Sequence, residues 1–275
     1  MTTTRLAPFS LRSIAVPAFG PALMFSLGEG AILPVVALSA RDLGASVAGA
    51  ALIVTLIGLG SWFFNLPASM ITLKFGERWA IVGAAAASAI ALAAAAVAPL
   101  FPGGLWVLAA AMVVVGMAAS VFSLARQKYL TEAVPVMLRA RALSTLGGVN
   151  RIGIFIGPFV GAAVMQFAGI SGAYWAGVVA MAAAAAVSVT IPDLEAKPLP
   201  ADGVPVQQPT LRSIAVSHAG VFLTVGAGVL LLSALRASRQ AVIPLWADHL
   251  GMDPTQASLI YGISGAIDML VFYPA

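Results

Sequence analysis

Charged side chains inside long apolar stretches are the residues of this sequence that could do chemistry. Glu29 lies in the first apolar stretch, and Arg236, Arg239 and Gln240 follow helical spacing in a later one. A charge inside a membrane-like segment is costly and normally faces a cavity or a partner. A carboxylate there can take up and release a proton, and guanidinium groups suit an anionic or carbonyl-rich ligand. A purely structural ion pair is the alternative interpretation.

A second set of polar side chains lies in other apolar stretches. Asn150 and Arg151 are adjacent in one of them, and Asp268 lies in the last. If these two stretches cross a membrane in opposite directions, Arg151 and Asp268 reach the same level and can pair. Arg126 lies near the end of another stretch, where its charge can reach lipid headgroups or face a cavity.

The composition excludes several functional classes. The chain has 275 residues, of which 61% are hydrophobic and 9% charged, whereas soluble domains carry about 25% charged residues. Lipid is therefore its natural solvent. The sequence has no cysteine, two distant histidines and no G-x-x-x-x-G-K-[ST] loop, so we expect no metal, no cofactor and no ATP-driven step. No nucleophile–base arrangement typical of an enzyme is visible, and the small net charge of +4 does not indicate nucleic-acid binding.

The sequence predicts an all-α membrane protein. A membrane-spanning helix needs about 20 mostly apolar residues, and eight segments approach that length. They are Ser13–Ser39, Val47–Ile71, Trp79–Leu100, Leu105–Leu124, Leu143–Phe167, Ala173–Ile191, Ile214–Ala247 and Ala257–Ala275. Their apolar runs are continuous and do not alternate, which favours helices over a barrel.

The distribution of Lys and Arg predicts the orientation. With the N-terminus inside, the basic residues on the cytoplasmic side are Arg5, Arg12, Lys74, Arg78, Lys128, Arg139, Arg141, Lys197 and Arg212. The outer connections hold Arg41. Because positive residues are retained on the cytoplasmic side, we expect a multi-pass protein of the cell membrane with a cytoplasmic N-terminus.

Two parts of the chain resemble each other. Leu11–Val16 and Leu211–Val216 both read LRSIAV, and Gly44–Pro67 has the same spacing as Gly251–Pro274. A polar, proline-containing stretch precedes the second copy and is typical of a flexible linker. The predicted organisation is a six-helix half over residues 1–191, a cytoplasmic linker over 192–210 and the start of a second half over 211–275.

The repeat relates two intramembrane charges. Glu29 lies five residues before Pro34, and Arg239 lies five residues before Pro244. Equivalent residues of a repeat are expected at similar depth. We therefore expect a Glu29–Arg239 pair across a central cavity, with a role in proton coupling or substrate binding.

These features resemble the major facilitator superfamily of secondary transporters. Six spans, a linker and a parallel repeat are its architecture. Lys74, Gly76 and Arg78 resemble the basic and glycine positions of its G-x-x-x-D-R-x-G-R-R loop. The departures from that loop are Ser69 for the first glycine, Leu73 for the aspartate and Glu77 for an arginine. These departures affect the gating salt bridge that the loop usually forms.

The fifth predicted span also resembles a pattern of the family. Gly153, Gly157, Pro158 and Gly161 match the G-x-x-x-G-P-x-x-G-G motif associated with exporters, with Ala162 at the final glycine. Glycines every four residues form a smooth face for close helix contact, and the proline favours a kink.

The resemblance implies further expectations. Family members usually have about twelve spans, so we expect that the sequence is incomplete or truncated; a natural eight-helix protein is the alternative. Helices five and eight line the interface between the halves in the family, so Asn150, Arg151 and Asp268 would form a gate there.

The implied function is secondary active transport by alternating access. We expect a monomer that exports a small amphipathic molecule and couples this efflux to protons. The partners are then the substrate, protons and the lipid bilayer. A proton-coupled importer and a non-transporting receptor or scaffold are the alternatives.

Overall fold

The fold is a bundle of long helices. A computed structural model describes residues 15–192, 217 and 219–272. Within these ranges there is no strand, which agrees with the predicted all-α class. The long helices are α1 (Ala15–Asp42), α2 (Val47–Val97), α3 (Gly104–Ala133), α4 (Val136–Ala168), α5 (Ser171–Val189), α6 (Ala227–His249) and α7 (Pro254–Phe272). A 3₁₀ turn, Ala98–Leu100, follows α2, and short α-helical and π-helical turns, Ala219–Val221 and Phe222–Gly226, precede α6.

The number of spans differs from the predicted eight. Within the described ranges, six helical segments are long and apolar enough to cross a membrane. One reason is α2, a 51-residue element whose backbone leaves the helical region only at Gly76, with φ 78° and ψ 163°. The sequence placed a connection at Lys74–Arg78, but the change of direction takes a single residue. Glycine fits there because side chains disfavour positive φ. The count of eight stays a prediction.

Two helices extend beyond the apolar runs that predicted them. α3 continues to Ala133 and α4 begins at Val136, whereas the apolar runs predicted Leu124 and Leu143 as the boundaries. Basic and polar residues at these ends favour water over lipid, but they are good helix formers and do not end a helix. The boundaries of the apolar runs therefore mark a change of surroundings and not the end of a helix.

The predicted repeat is only partly visible. The predicted linker 192–210, apart from Pro192, and the second LRSIAV copy at 211–216 lie outside the described residues. The ends of α1 and α6 can be compared. Both helices end shortly before a glycine with positive φ, which is 89° at Gly44 and 73° at Gly251. These turns have the same geometry at positions that the repeat makes equivalent.

Apolar residues lie on both the inside and the outside of the bundle. Buried small and aliphatic side chains from α1, α2, α3 and α5 form the main core. On the outside, the exposed large apolar side chains include the tryptophans Trp62, Trp79, Trp106, Trp175 and Trp246. Such a surface is favourable in lipid and unfavourable in water.

One close helix contact at the site joins α4 to α1. A Cβ at Gly153 would lie 2.7 Å from the carbonyl oxygen of Leu23, and one at Gly157 would lie 2.6 Å from backbone atoms of Gly30 and Ala31. Gly161 also abuts the backbone of Ala31. The glycine face of α4 is thus the surface that lets the two backbones touch.

Gly157→Val should destabilise the protein because the new side chain would meet the backbone of α1. Overpacking of this kind costs about 1–3 kcal/mol. The measurement is thermal unfolding of the purified protein in detergent.

Gly147→Val is the matched control, because it is in the same helix and nothing lies within 4 Å of its Cβ position. Equal melting temperatures for the two variants would contradict the packing role of Gly157.

Candidate functional site

One polar cavity lies among α1, α2, α3 and α4, and we call it the α1–α4 cavity. Its volume is about 360 Å³. The polar residues that line it are Ser26, Glu29, Ser61, Asn65, Ser120, Ser123, Arg126, Gln127 and Asn150. A polar cavity inside an apolar bundle is the usual setting of a substrate or ion pathway.

Glu29 is the acidic group of the α1–α4 cavity. Helical spacing places it on the same face of α1 as Phe25 and Ser26, which line the cavity with it. The ring of Phe25 stacks on that of Phe122 at 4.0 Å between centroids, and this pair forms an apolar wall. Glu29 forms no side-chain hydrogen bond or ion pair with the described residues. Its carboxylate is therefore available to a proton or a ligand.

Arg126 is the basic group of the same cavity. Its side chain is 1% exposed, the largest of the fully buried side chains among the described residues. Nη1 donates to the carbonyl oxygen of Pro17 at 3.2 Å, but Nε and Nη2 have no hydrogen-bond partner among the described residues. The alternative that this arginine reaches the headgroups is wrong, because α3 continues past it and α1 covers it.

Hydrogen bonds connect several of the remaining polar residues of this cavity. Ser120 donates to Oδ1 of Asn65 at 2.7 Å, and Ser26 donates to Oδ1 of Asn150 at 3.3 Å. Ser120, Ser123 and Gln127 follow helical spacing and so lie on one face of α3. Ser61 and Asn65 were not recognised, although their i, i+4 spacing in α2 was a usable signal.

A second cavity lies among α4, α6 and α7, and we call it the α4–α7 cavity. Its volume is about 220 Å³. The residues that line it are Arg151, Ile154, Phe155, Pro158, Arg236, Arg239, Gln240, Tyr261, Gly262, Ser264 and Gly265. On each helix they recur three or four residues apart, so each helix presents one face to the cavity.

The structure brings some of the predicted site residues together. Arg236, Arg239 and Gln240 line the α4–α7 cavity and share it with Arg151. Nη2 of Arg239 donates to Oγ of Ser264 at 2.8 Å. The predicted stripe on α6 therefore faces a cavity.

The structure does not bring other predicted pairs together. Glu29 and Arg239 line different cavities, so they do not form the expected pair. Asn150 faces the α1–α4 cavity and Arg151 the α4–α7 cavity, which separates two members of the expected gate. Asp268 lies in α7 four residues after Ser264, but its side chain lies outside the described part of the chain. The roles of these residues stay predictions.

The loop motif lies at the bend of α2. Lys74 and Arg78 flank Gly76, and Glu77 forms an ion pair with Lys128 at the end of α3, with Nζ 2.5 Å from Oε1. Lys128 also lies 3.8 Å from Glu132. Glu77, which replaces an arginine of the family's loop, thus pairs within the first half of the chain.

An ion pair also joins the end of α1 to the end of α6. Nε of Arg41 lies 3.5 Å from Oδ2 of Asp248, and Nη1 donates to the carbonyl oxygen of Ala45 at 2.8 Å. The pair is partly exposed, so its contribution to stability is small. It nevertheless links helices that belong to the two predicted halves.

Comparison with known proteins identifies the family. The sequence matches the Major Facilitator Superfamily over residues 19–275. The chain therefore belongs to this superfamily, as the motifs predicted. It is a multi-pass membrane protein of the secondary-transporter class, and this membership indicates a transporter and not an enzyme.

A solved structure has the same fold. The crystal structure of a D-xylose-proton symporter matches with a TM-score of 0.67 and 17% sequence identity, over 94% of this chain and 67% of that chain. At this identity the likeness shows the fold alone. No curated protein sequence matches the chain.

Arg126→Met should leave stability unchanged or raise it, while transport is lost. Burying a guanidinium costs several kcal/mol, and an apolar replacement of similar volume removes that cost. The measurements are thermal unfolding and flux in proteoliposomes.

Arg141→Met, a change at an exposed residue of α4, is the matched control. A large drop in the melting temperature of Arg126→Met would show that Arg126 is structural and would contradict this prediction.

Proposed function

We propose that this protein is a proton-coupled secondary transporter that exports a small amphipathic molecule by alternating access. The observation that carries the proposal is the carboxylate of Glu29 in a polar cavity of a transporter-family bundle, with the buried guanidinium of Arg126 in the same cavity. Ionisable groups at such positions serve proton relays and substrate binding.

The mechanism assigns different tasks to the two ionisable groups of the α1–α4 cavity. Arg126 keeps its positive charge throughout the cycle, because guanidinium groups remain protonated in proteins. Glu29 alternates between a carboxylate and a protonated carboxyl group. In an exchange cycle the substrate leaves to the outside, and a proton from the outside binds to Glu29. The protonated protein then opens to the cytoplasm and releases the proton there.

The two halves of the family architecture are the moving bodies of the proposal. We assign residues 1–191 to the first half, 192–210 to a cytoplasmic linker and 211–275 to the second half. The close approach of α4 and α7, where a Cβ at Gly262 would lie 2.9 Å from the ring of Phe159, supports an interface between halves. Asn150, Arg151 and Asp268 are the proposed gate, in which Arg151 faces the α4–α7 cavity and Asn150 the α1–α4 cavity behind it. Rocking of the halves would open and close each side.

The topology follows from the same assignment. The Glu77–Lys128 ion pair joins the bend of α2 to the end of α3. Four more basic residues lie at this bend or near the start of α4, namely Lys74, Arg78, Arg139 and Arg141. This concentration of positive charge supports a cytoplasmic side there and a cytoplasmic N-terminus in the cell membrane.

Since 51 helical residues would span about 75 Å, the proposal counts α2 as two spans, which with the other six helices gives eight. We propose a monomer.

The direction of transport rests on the motif of α4. The glycines that match the exporter-associated pattern make the contact with α1, which supports efflux. Import is the second candidate, because the protein with the matching fold is described as a proton symporter. Accumulation of solute in membrane vesicles of known orientation separates the two directions.

Glu29→Gln should abolish coupled proton movement. Proteoliposomes loaded with a pH-sensitive dye are exposed to gradients of sugars, amines and carboxylates, and the internal pH is followed. We expect that at least one solute moves protons through the wild-type protein, that Glu29→Gln reduces this to the level of protein-free vesicles, and that Glu29→Asp retains part of it.

The matched control for this experiment is Glu132→Gln, because Glu132 is a partly exposed acid at the end of α3. Proton movement that persists unchanged in Glu29→Gln would contradict the coupling role. A wild-type protein that moves no solute would instead favour a receptor or scaffold.

A further inference from the structure

A groove beside the bend of α2 opens to the outside of the bundle, and we call it the α2–α3 groove. The segments of α2 before and after Gly76 form two of its walls, and α3 forms the third. Phe75 and Trp79 line it and remain 57% and 55% exposed, so the groove faces the surroundings and not the interior. Its volume is about 410 Å³, within the roughly 300–1,000 Å³ of ligand pockets.

The lining of the α2–α3 groove is apolar. Among the described residues that form it, the indole N–H of Trp79 is the only polar side-chain group. Gly83 and Ala87 lie along one wall, and their small size leaves room for a ligand. Because a hydrophilic ligand would lose its hydrogen bonds to water there and gain few in return, the lining matches a hydrocarbon chain.

The length of the groove corresponds to one leaflet of a bilayer. After the bend, its lining residues run from Trp79 to Ala87, and eight residues of helix rise about 12 Å. The apolar core of a bilayer is about 30 Å thick, so one leaflet contributes about 15 Å. With Gly76 at the membrane surface, the groove extends through most of one leaflet, as a lipid acyl chain does.

Basic side chains lie at the end of the groove next to the bend. Nζ of Lys74 lies 5.5 Å from the centre of the Phe75 ring, and Cζ of Arg78 lies 5.3 Å from that of the Trp79 ring. Both rings belong to the groove. Basic residues next to a membrane-spanning segment attract anionic headgroups, so the charge at this end complements a lipid phosphate.

The acidic residue at the bend does not neutralise Lys74. Glu77 pairs with Lys128 of α3, with Nζ 2.5 Å from Oε1. Lys74 is exposed and forms no ion pair with the described residues. Its ammonium group is therefore available to a phosphate at the mouth of the groove.

We propose that the α2–α3 groove binds one anionic phospholipid, with an acyl chain in the groove and the phosphate beside Lys74. The inference goes beyond the proposed function and uses only its assignment of two membrane spans to α2. A lipid bound in this way holds the bend of α2 at the membrane surface.

Quenching of tryptophan fluorescence by brominated lipids tests the proposal. The reporter is Trp79, in protein whose other four tryptophans are replaced by Phe. The protein is reconstituted in mixtures of phosphatidylglycerol and phosphatidylcholine, with one lipid brominated at a time. We expect that phosphatidylglycerol binds beside Trp79 about fivefold more strongly than phosphatidylcholine, the factor that one Lys contributes near an anionic headgroup.

Two changes separate the contributions of the charge and of the groove. Lys74→Gln should reduce the preference to below about twofold, whereas Lys74→Arg, which keeps the charge, should retain it. Gly83→Leu should also reduce it to below about twofold, because the new side chain would occupy the groove. This change should not disturb the fold, since nothing lies within 4 Å of the Cβ position at Gly83.

Each change has a matched control that should keep the fivefold preference. Arg141→Gln removes an exposed basic residue of α4. Gly58→Leu alters another glycine of α2 whose Cβ position is open and which lies outside the groove.

Equal binding of the two lipids at Trp79 would overturn the lipid site while leaving α2 in the bilayer. The same preference in protein that keeps only Trp106, an exposed residue at the start of α3, would show general attraction to the surface and overturn it too. So would a preference that persists in folded Lys74→Gln or Gly83→Leu.

Absence of quenching by either lipid would show that a second copy or another part of the chain covers the groove, and would overturn the proposal. Because the assay needs no gradient, its failure is separate from a failure of proton-coupled transport.

Discussion

The contact between the glycine face of α4 and the backbone of α1 is the constraint on which the site depends. Gly153 and Gly157 remove the side chains that would otherwise separate the two helices. α4 therefore lies against α1 and covers Ser26, whose hydroxyl reaches Asn150 at 3.3 Å. With a larger residue at Gly157, α4 could not approach α1 this closely.

This position makes α4 the shared wall of two cavities. Asn150 and Arg151 are consecutive residues, and a step of one residue turns the side chain by about 100° around the helix. Asn150 therefore faces the α1–α4 cavity while Arg151 faces the α4–α7 cavity. The acidic Glu29 and the arginines of α6 therefore line different cavities, on either side of the same helix.

Much of the fold was predictable from the sequence because lipid imposes simple requirements. Continuous apolar runs and the positions of Lys and Arg predicted helices, and the motifs near Gly76 and Gly157 predicted the family. The faces of α6 and α4 that line cavities follow from helical spacing alone. The bend at Gly76 needed the structure, because the five residues Lys74–Arg78 read the same whether they form a loop or a helix.

The pairing of charges was not predictable. The repeat makes Glu29 and Arg239 equivalent along their helices, but equivalence in depth does not determine the direction in which each side chain points. The environment of Arg126 stayed open between two interpretations for a related reason. Its distance from the end of the apolar run suggested access to headgroups, whereas burial depends on neighbouring helices that the local sequence does not specify.

Proton exchange by the carboxyl group of Glu29 in the α1–α4 cavity is the central claim of this account. The most direct test is the infrared absorption of protonated carboxyl groups, recorded across pH as the difference between the wild-type protein and Glu29→Gln in lipid nanodiscs. The account predicts a band that appears in the wild-type protein as the pH falls and is missing from Glu29→Gln. Identical spectra of the two proteins at every pH would show that Glu29 exchanges no proton and would contradict the account.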